Sequence, residues 1–74
     1  MPIPLSSRGI ADDLHARILG GEYATGSRLP SLRELAELYS VSVSTIQRAQ
    51  ELLKDRGLLV GSPGRGVYVV DRLP

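Results

Sequence analysis

Cysteine, tryptophan and phenylalanine are absent from this 74-residue chain, and histidine occurs once. Without cysteine there is no disulfide and no thiolate metal site, and a single imidazole cannot assemble a zinc centre by itself. The same scarcity leaves no nucleophile, base or convergent carboxylates for a catalytic cleft, so the sequence speaks against an enzyme and calls for no cofactor or metal. With only three tyrosines as aromatics, the core has to be built from Leu, Ile, Val and Ala. No window approaches the ~20 apolar residues of a membrane span. The start, MPIPLSSRGIADD, also lacks a basic segment followed by an apolar run, so a cytoplasmic protein without a membrane anchor is expected. Excess charge is missing too. A net charge of +1 is small for a partner of nucleic acid, so any such attraction has to come from where the charges stand. Acidic Asp12, Asp13 and Glu22 lie early in the chain, whereas Arg33, Arg48 and Arg65 lie later.

What is present reads as one domain over residues 1–74. A chain of this length buries roughly 60% of its unfolded surface, so its core must be small and efficient. Pro2 and Pro4 keep the start extended, and Ser6 or Ser7 caps a first helix over about 6–19, with Ile10, Leu14 and Ile18 on one stripe. Gly20 and Gly21 end it. Arg8, Asp12, Asp13 and Arg17 are most simply a solvated face, and His15 a satisfied surface or boundary histidine. Residues 22–29 form a turn-rich connector in which Arg28-Leu29 is the one strand-like piece. Ser31 and Glu34 then match the capping box S-x-x-E, opening a second helix over about 32–39 with Leu32, Leu35, Ala36 and Tyr39 inward. After a Ser40-Val41 corner, a third helix over about 43–56 turns Ile46, Ala49, Gln50 and Leu53 inward and Ser44, Gln47, Arg48 and Glu51 outward. Gly57 stops it. The β-rich runs 58–60 and 67–70, joined by the Gly-rich loop 61–66, make a wing over about 58–70, and Leu73-Pro74 begins a linker. The fold class is α+β, mainly α: a winged helix-turn-helix of three helices followed by a two-stranded β-hairpin.

That spacing points to a third helix that enters the major groove of DNA. Ser42, Ser44 and Thr45 place small hydroxyls beside first-turn N–H groups that no helical carbonyl uses, an arrangement that attracts phosphate or base edges. For Ser42 and Thr45 taken singly, capping and packing explain as much. Ser44, Gln47 and Arg48 project where neither does; Gln can bridge adenine N6 and N7, and Arg can bridge guanine O6 and N7 or hold a phosphate. Val43 either meets a thymine methyl or packs against the second helix. Arg33 opposes the helix dipole unless a phosphate lies near, the alternative being a solvated pair with Glu37. Arg65 between two glycines suits a wing lying along a narrow minor groove, against the alternative of a plain hairpin. A winged-helix module that docks protein instead of DNA is the competing reading.

Residues 21–70, from GEYATGSRLPS through RELA, the Val41-Ser42 corner and Gly57-Leu58-Leu59 to Gly64-Arg65-Gly66, closely resemble the DNA-binding domain of the GntR family of bacterial transcriptional regulators. The resemblance implies a sequence-specific, operator-reading domain of a repressor that binds a palindromic double-stranded site as a homodimer. It implies DNA contacts at Ser31 and Arg33, from Ser42 to Gln47, and at Gly64 or Gly66. Val43 stands where members usually carry arginine and Gln50 where leucine is common; the first departure removes a frequent guanine or phosphate contact, so either the operator is unusual or Arg48 and Arg65 carry more of the binding. The aromatic often found near Ser6 or Ser7 is missing. A small-molecule effector would act through a C-terminal domain that this sequence does not contain, and the isolated domain is expected to be monomeric.

Overall fold

Each helix is opened by a serine. In the computed structural model, which describes residues 6–73, Ser6 accepts the Gly9 N–H at 3.0 Å and starts α1 (Ser7–Leu19). Ser31 starts α2 (Leu32–Tyr39) with the full capping box, the Glu34 N–H on its hydroxyl and its own N–H on the Glu34 carboxylate, both at 3.1 Å. Ser42 accepts the Thr45 N–H at 3.3 Å and starts α3 (Val43–Asp55). The extended start read at Pro2 and Pro4, and Pro74 of the linker, lie outside the described residues.

The three helices also close alike. A left-handed residue follows the last turn, and the next N–H reaches back five positions, which satisfies carbonyls the helix leaves open. Gly21 (φ 84) and Gly57 (φ 77) do this for α1 and α3, with Glu22 N–H on the Arg17 carbonyl and Leu58 N–H on the Leu53 carbonyl, both at 3.0 Å. Gly20, expected to share in ending α1, stays right-handed at φ −79. At the corner after α2 the left-handed residue is Ser40 (φ 55), the only non-glycine with positive φ among the described residues. Packing on both sides has to offset its strain of about 1 kcal/mol.

The core lies where one stripe of each helix meets the others: Ile10, Leu14 and Ile18 of α1, Leu35 and Tyr39 of α2, and Ile46, Ala49 and Leu53 of α3. Leu58, Leu59 and Val69 close it from below. The hairpin pairs β1 (Leu59–Ser62) with β2 (Gly66–Val69) antiparallel, Leu59 opposite Val69 and Ser62 opposite Gly66. The ladder runs nearer the tip than the sequence suggests, because Arg65 N–H closes a turn on the Ser62 carbonyl at 2.9 Å. Pro63 and Gly64 (φ 74) occupy the central positions that a type II turn gives to proline and glycine, so only Pro63, Gly64 and Arg65 remain as loop. The Arg28-Leu29 piece does become strand-like. Arg28 bridges Tyr68, and Leu29 N–H meets the Val67 carbonyl at 2.8 Å, covering the outer edge of β2.

The charged residues of α1 do more than face solvent, and this corrects the sequence reading. The Tyr39 hydroxyl donates to Asp13 Oδ2 at 2.6 Å, and Arg17 Nε donates to the same oxygen at 2.8 Å. Arg56 reaches Asp12 at 2.8 Å and His15 Nδ1 at 3.2 Å, tying the end of α3 to α1. Tyr39 and Arg17 hold the Asp13 carboxyl below the usual carboxylate range, while burial and Asp13 push the Tyr39 phenol above its own. An acid that binds its proton more weakly when folded stabilises the fold fully above its unfolded pKa of ~3.9, and this stability is lost as pH falls through the lower folded value. Glu34, held down by the Ser31 N–H, acts in the same direction. Melting temperatures recorded as pH is lowered are therefore expected to fall once pH drops below ~4, with a shallower fall for Asp13→Asn. Parallel curves for parent and variant would show that the Tyr39–Asp13 bond does not stabilise the fold. Among the described residues, no helix is long and apolar enough to cross a membrane.

Candidate nucleic-acid interface

Burying Ile46, Ala49, Gln50 and Leu53 leaves Ser44, Gln47, Arg48 and Glu51 exposed on the opposite side of α3. The helix is therefore docked by one stripe and bare along the other. At its start the Ser42 hydroxyl lies 3.0 Å from both Ser44 Oγ and Thr45 Oγ1, so three hydroxyls gather around the first turn. Ser42 caps, as the simpler reading of it held, and Thr45 is half-buried. Val43 remains 39% exposed, which leaves its methyl groups available outside the core. Glu51 is engaged with Lys54 at 3.4 Å.

On α2, Ser31 is exposed but its hydroxyl and N–H are taken up by the capping box. Arg33 is exposed, and the pair with Glu37 does not form. On the wing, Arg65 stands exposed at the tip beside Gly64. Gly66 (φ 114) has an internal reason to be glycine as well: a Cβ there would come within 2.9 Å of Arg28 Nε. The Arg28 guanidinium thus lies against the start of β2, next to the wing tip, where a side chain at position 66 would displace it. Ser31 and Arg33, neighbours at the start of α2, line one cleft with the distant Gly66 together with Arg28 and Gln50. Arg48 is not part of that group. It opens beside Ser7 and Arg8 onto a second, shallower cleft between α1 and α3.

The charge distribution resolves the weak net charge. Arg17, Lys54 and Arg56 are each paired with a carboxylate, whereas Arg8, Arg28, Arg33, Arg48, Arg65 and Arg72 form no ion pair among the described residues. The acids are partly neutralised on α1 and at the end of α3. Of the unpaired arginines, Arg65 stands on the wing, Arg28 and Arg33 at the approach to and start of α2, and Arg48 on the bare side of α3, with Arg8 in α1 and Arg72 after β2. Sequence reasoning missed Arg8, Arg28 and Gln50 as members of these clefts. Arg28 did carry a signal, its place in the short extended piece just before the α2 cap, but not that this piece would pair with β2.

Three comparisons with known proteins bear on this arrangement. The sequence pattern of "Bacterial regulatory proteins, gntR family" matches residues 6–69. An uncharacterized HTH-type transcriptional regulator, YisV of Bacillus subtilis (strain 168), is 41% identical over 69 residues, covering 93% of this chain and 14% of YisV. The HTH-type transcriptional repressor NagR of the same organism is 38% identical over 68 residues, covering 92% of this chain and 28% of NagR. This chain thus spans less than a third of either relative. Among solved structures, AraR(DBD) in complex with operator ORR3 superposes with a TM-score of 0.81 at 25% identity, covering 95% of this chain and 93% of that one.

Proposed function

The chain belongs to the gntR family of bacterial regulatory proteins, and on that footing we propose that it is the DNA-reading domain of a cytoplasmic transcriptional repressor. It acts as a single unit over residues 1–74, placing the first turn of α3 in the major groove of a double-stranded operator. The observation that carries this reading is the bare side of α3, where Gln47 and Arg48 stand exposed without an internal partner. AraR(DBD), of the same fold and nearly the same extent, has been seen on an operator.

The residues divide by chemistry. Gln47 presents an amide that bridges adenine N6 and N7, and Val43 offers methyl groups to a thymine methyl. Ser42, Ser44 and Thr45 gather hydroxyls and free N–H groups at a positive helix end, which suits phosphate. Ser31 and Arg33 at the start of α2 hold backbone, which positions the domain without reading sequence, while Arg48 beside Arg8 meets both a base edge and a phosphate. Gly64, Arg65 and Gly66 place a guanidinium along the adjacent minor groove. A homodimer on a palindromic site raises the effective concentration of each half. A small-molecule effector acts through further domains for which the longer relatives have room. The family consists of regulators, and the domain does its work by binding.

Salt dependence tests this directly. Affinity for duplex DNA is expected to fall linearly on a log–log plot against salt, because each phosphate neutralised releases counterions. Arg33→Ala should weaken binding to every duplex by about tenfold at ~0.1 M salt and reduce the slope by about one. A parent protein with no salt-dependent affinity for any duplex would return the chain to the protein-docking reading.

A further inference from the structure

Between the first turn of α2 and strand β2 lies a cleft of about 370 Å³, walled by Arg28, Pro30, Leu32, Arg33 and Val67 and floored by Gln50 of α3. Gln50 is the only buried polar or charged residue among those described, with 5% of its surface exposed. Its side chain has no hydrogen-bond partner within the described residues, yet no fully enclosed side-chain nitrogen or oxygen there lacks one. The amide therefore opens onto the cleft. Its stripe neighbours Ile46, Ala49 and Leu53 are aliphatic, so nothing in the packing of α3 calls for an amide at this position. With almost all of the residue covered and its polar atoms reaching outside only through the cleft, the amide is satisfied by whatever occupies the cleft, water or a ligand with acceptors.

The surroundings are rich in donors. Arg28 and Arg33 bring two guanidinium groups without ion pairs to the walls. Of the free N–H groups at the start of α2, the capping box uses those of Ser31 and Glu34, which leaves those of Leu32 and Arg33 at the positive end of the helix. Glu34, the acid of that turn, is folded back on the Ser31 N–H. The apolar walls from Pro30, Leu32 and Val67 suit a sugar ring. Donors and positive potential around an amide, with apolar surface beside them, match a phosphate ester carrying a deoxyribose.

We propose that this cleft seats one phosphodiester of the DNA strand that passes between the groove read by α3 and the groove taken by the wing. The Gln50 amide N–H donates to a phosphate oxygen from the floor, and Arg28, given room by the absent side chain of Gly66, closes the mouth. The assignment rests on the reading of the chain as a duplex binder. It adds a contact on the buried side of α3, supplied by a residue of the core stripe.

The test compares the parent, Gln50→Leu and Arg28→Gln on a ~30-bp random-sequence duplex across a salt series, alongside melting curves. Gln50→Leu is expected to weaken binding about tenfold, the loss of a hydrogen bond to a charged group, with an unchanged salt slope and a melting temperature equal to the parent's or higher. Arg28→Gln is expected to weaken binding and lower the slope by about one. Gln50→Met, of similar length, takes the place of the leucine variant should that one not fold. Affinity of the folded Gln50 variant within twofold of the parent's overturns the proposal while leaving the duplex-binding reading intact. A parent that binds no duplex overturns both. Titration with inorganic phosphate, followed on the Gln50 side-chain amide resonances, separates the sources. Saturation by free phosphate together with an unaffected duplex affinity in Gln50→Leu would make the cleft a small-anion site and also overturn the proposal.

Discussion

Leu35→Ala is expected to destabilise the protein by roughly 2–5 kcal/mol, read from the shift of its denaturation midpoint. Leu35 is fully buried in the middle of α2, a helix of 8 residues. Isolated helices shorter than ~12 residues are marginal in water, so α2 owes its existence to the packing that this side chain provides. Truncation removes the transfer energy of the lost methyl groups and leaves a cavity in the core beneath α2 that cannot close fully. A domain of this size holds about 5 kcal/mol in total, so much of the variant will be unfolded at room temperature. Leu38, three residues on and 53% exposed, is the internal control. Its replacement by alanine should change stability by no more than ~0.5 kcal/mol. Equal effects at the two positions would show that α2 is not anchored through Leu35.

Gln47→Ala is expected to change which sequences are bound, not how tightly duplexes are held in general. Loss of a bidentate amide-to-adenine contact costs ~1–3 kcal/mol of discrimination at one base pair. Selection from a random duplex pool, run with parent and variant, should show one position of the consensus relaxing while the rest persists. Arg48→Ala is expected to combine a change in preference with a drop of about one in salt slope, because its cleft also holds Arg8. Identical consensus sequences from the parent and Gln47→Ala would remove Gln47 from the groove.

The features legible in the sequence are those decided within a few residues. A serine three positions before a glutamate closes a capping box on itself, and apolar residues at i, i+3 and i+4 can meet only on one face, so the start of α2 and the stripes of all three helices could be read. The hairpin's turn chemistry was visible too, although the ladder reaches closer to the tip once Pro63 and Gly64 fold into a tight turn. What escaped depends on distance in sequence. Asp13 and Tyr39 are 26 residues apart, and Asp12 and Arg56 are 44 apart, so spacing cannot show that they meet. Arg28 looked like part of a connector until β2 paired with it. Gln50 was placed correctly on the inward stripe, but a stripe position says only that a side chain faces in, not that its polar end finds an opening.

The junction of α3 and β1 carries a consequence of its own. Leu58 spends its N–H on the last turn of α3 and accepts the Val70 N–H on its carbonyl, each at 3.0 Å, so a single residue is bolted to the rod behind it and to the ribbon beside it. These two bonds tie the two projections of the molecule together at one point, which favours a separation set before any partner arrives. On the proposed reading, such a body works as a fixed gauge. It would tell duplexes apart by pitch and groove width as well as by their letters, favouring stretches whose natural winding already matches the span and penalising those that must be wrung to fit.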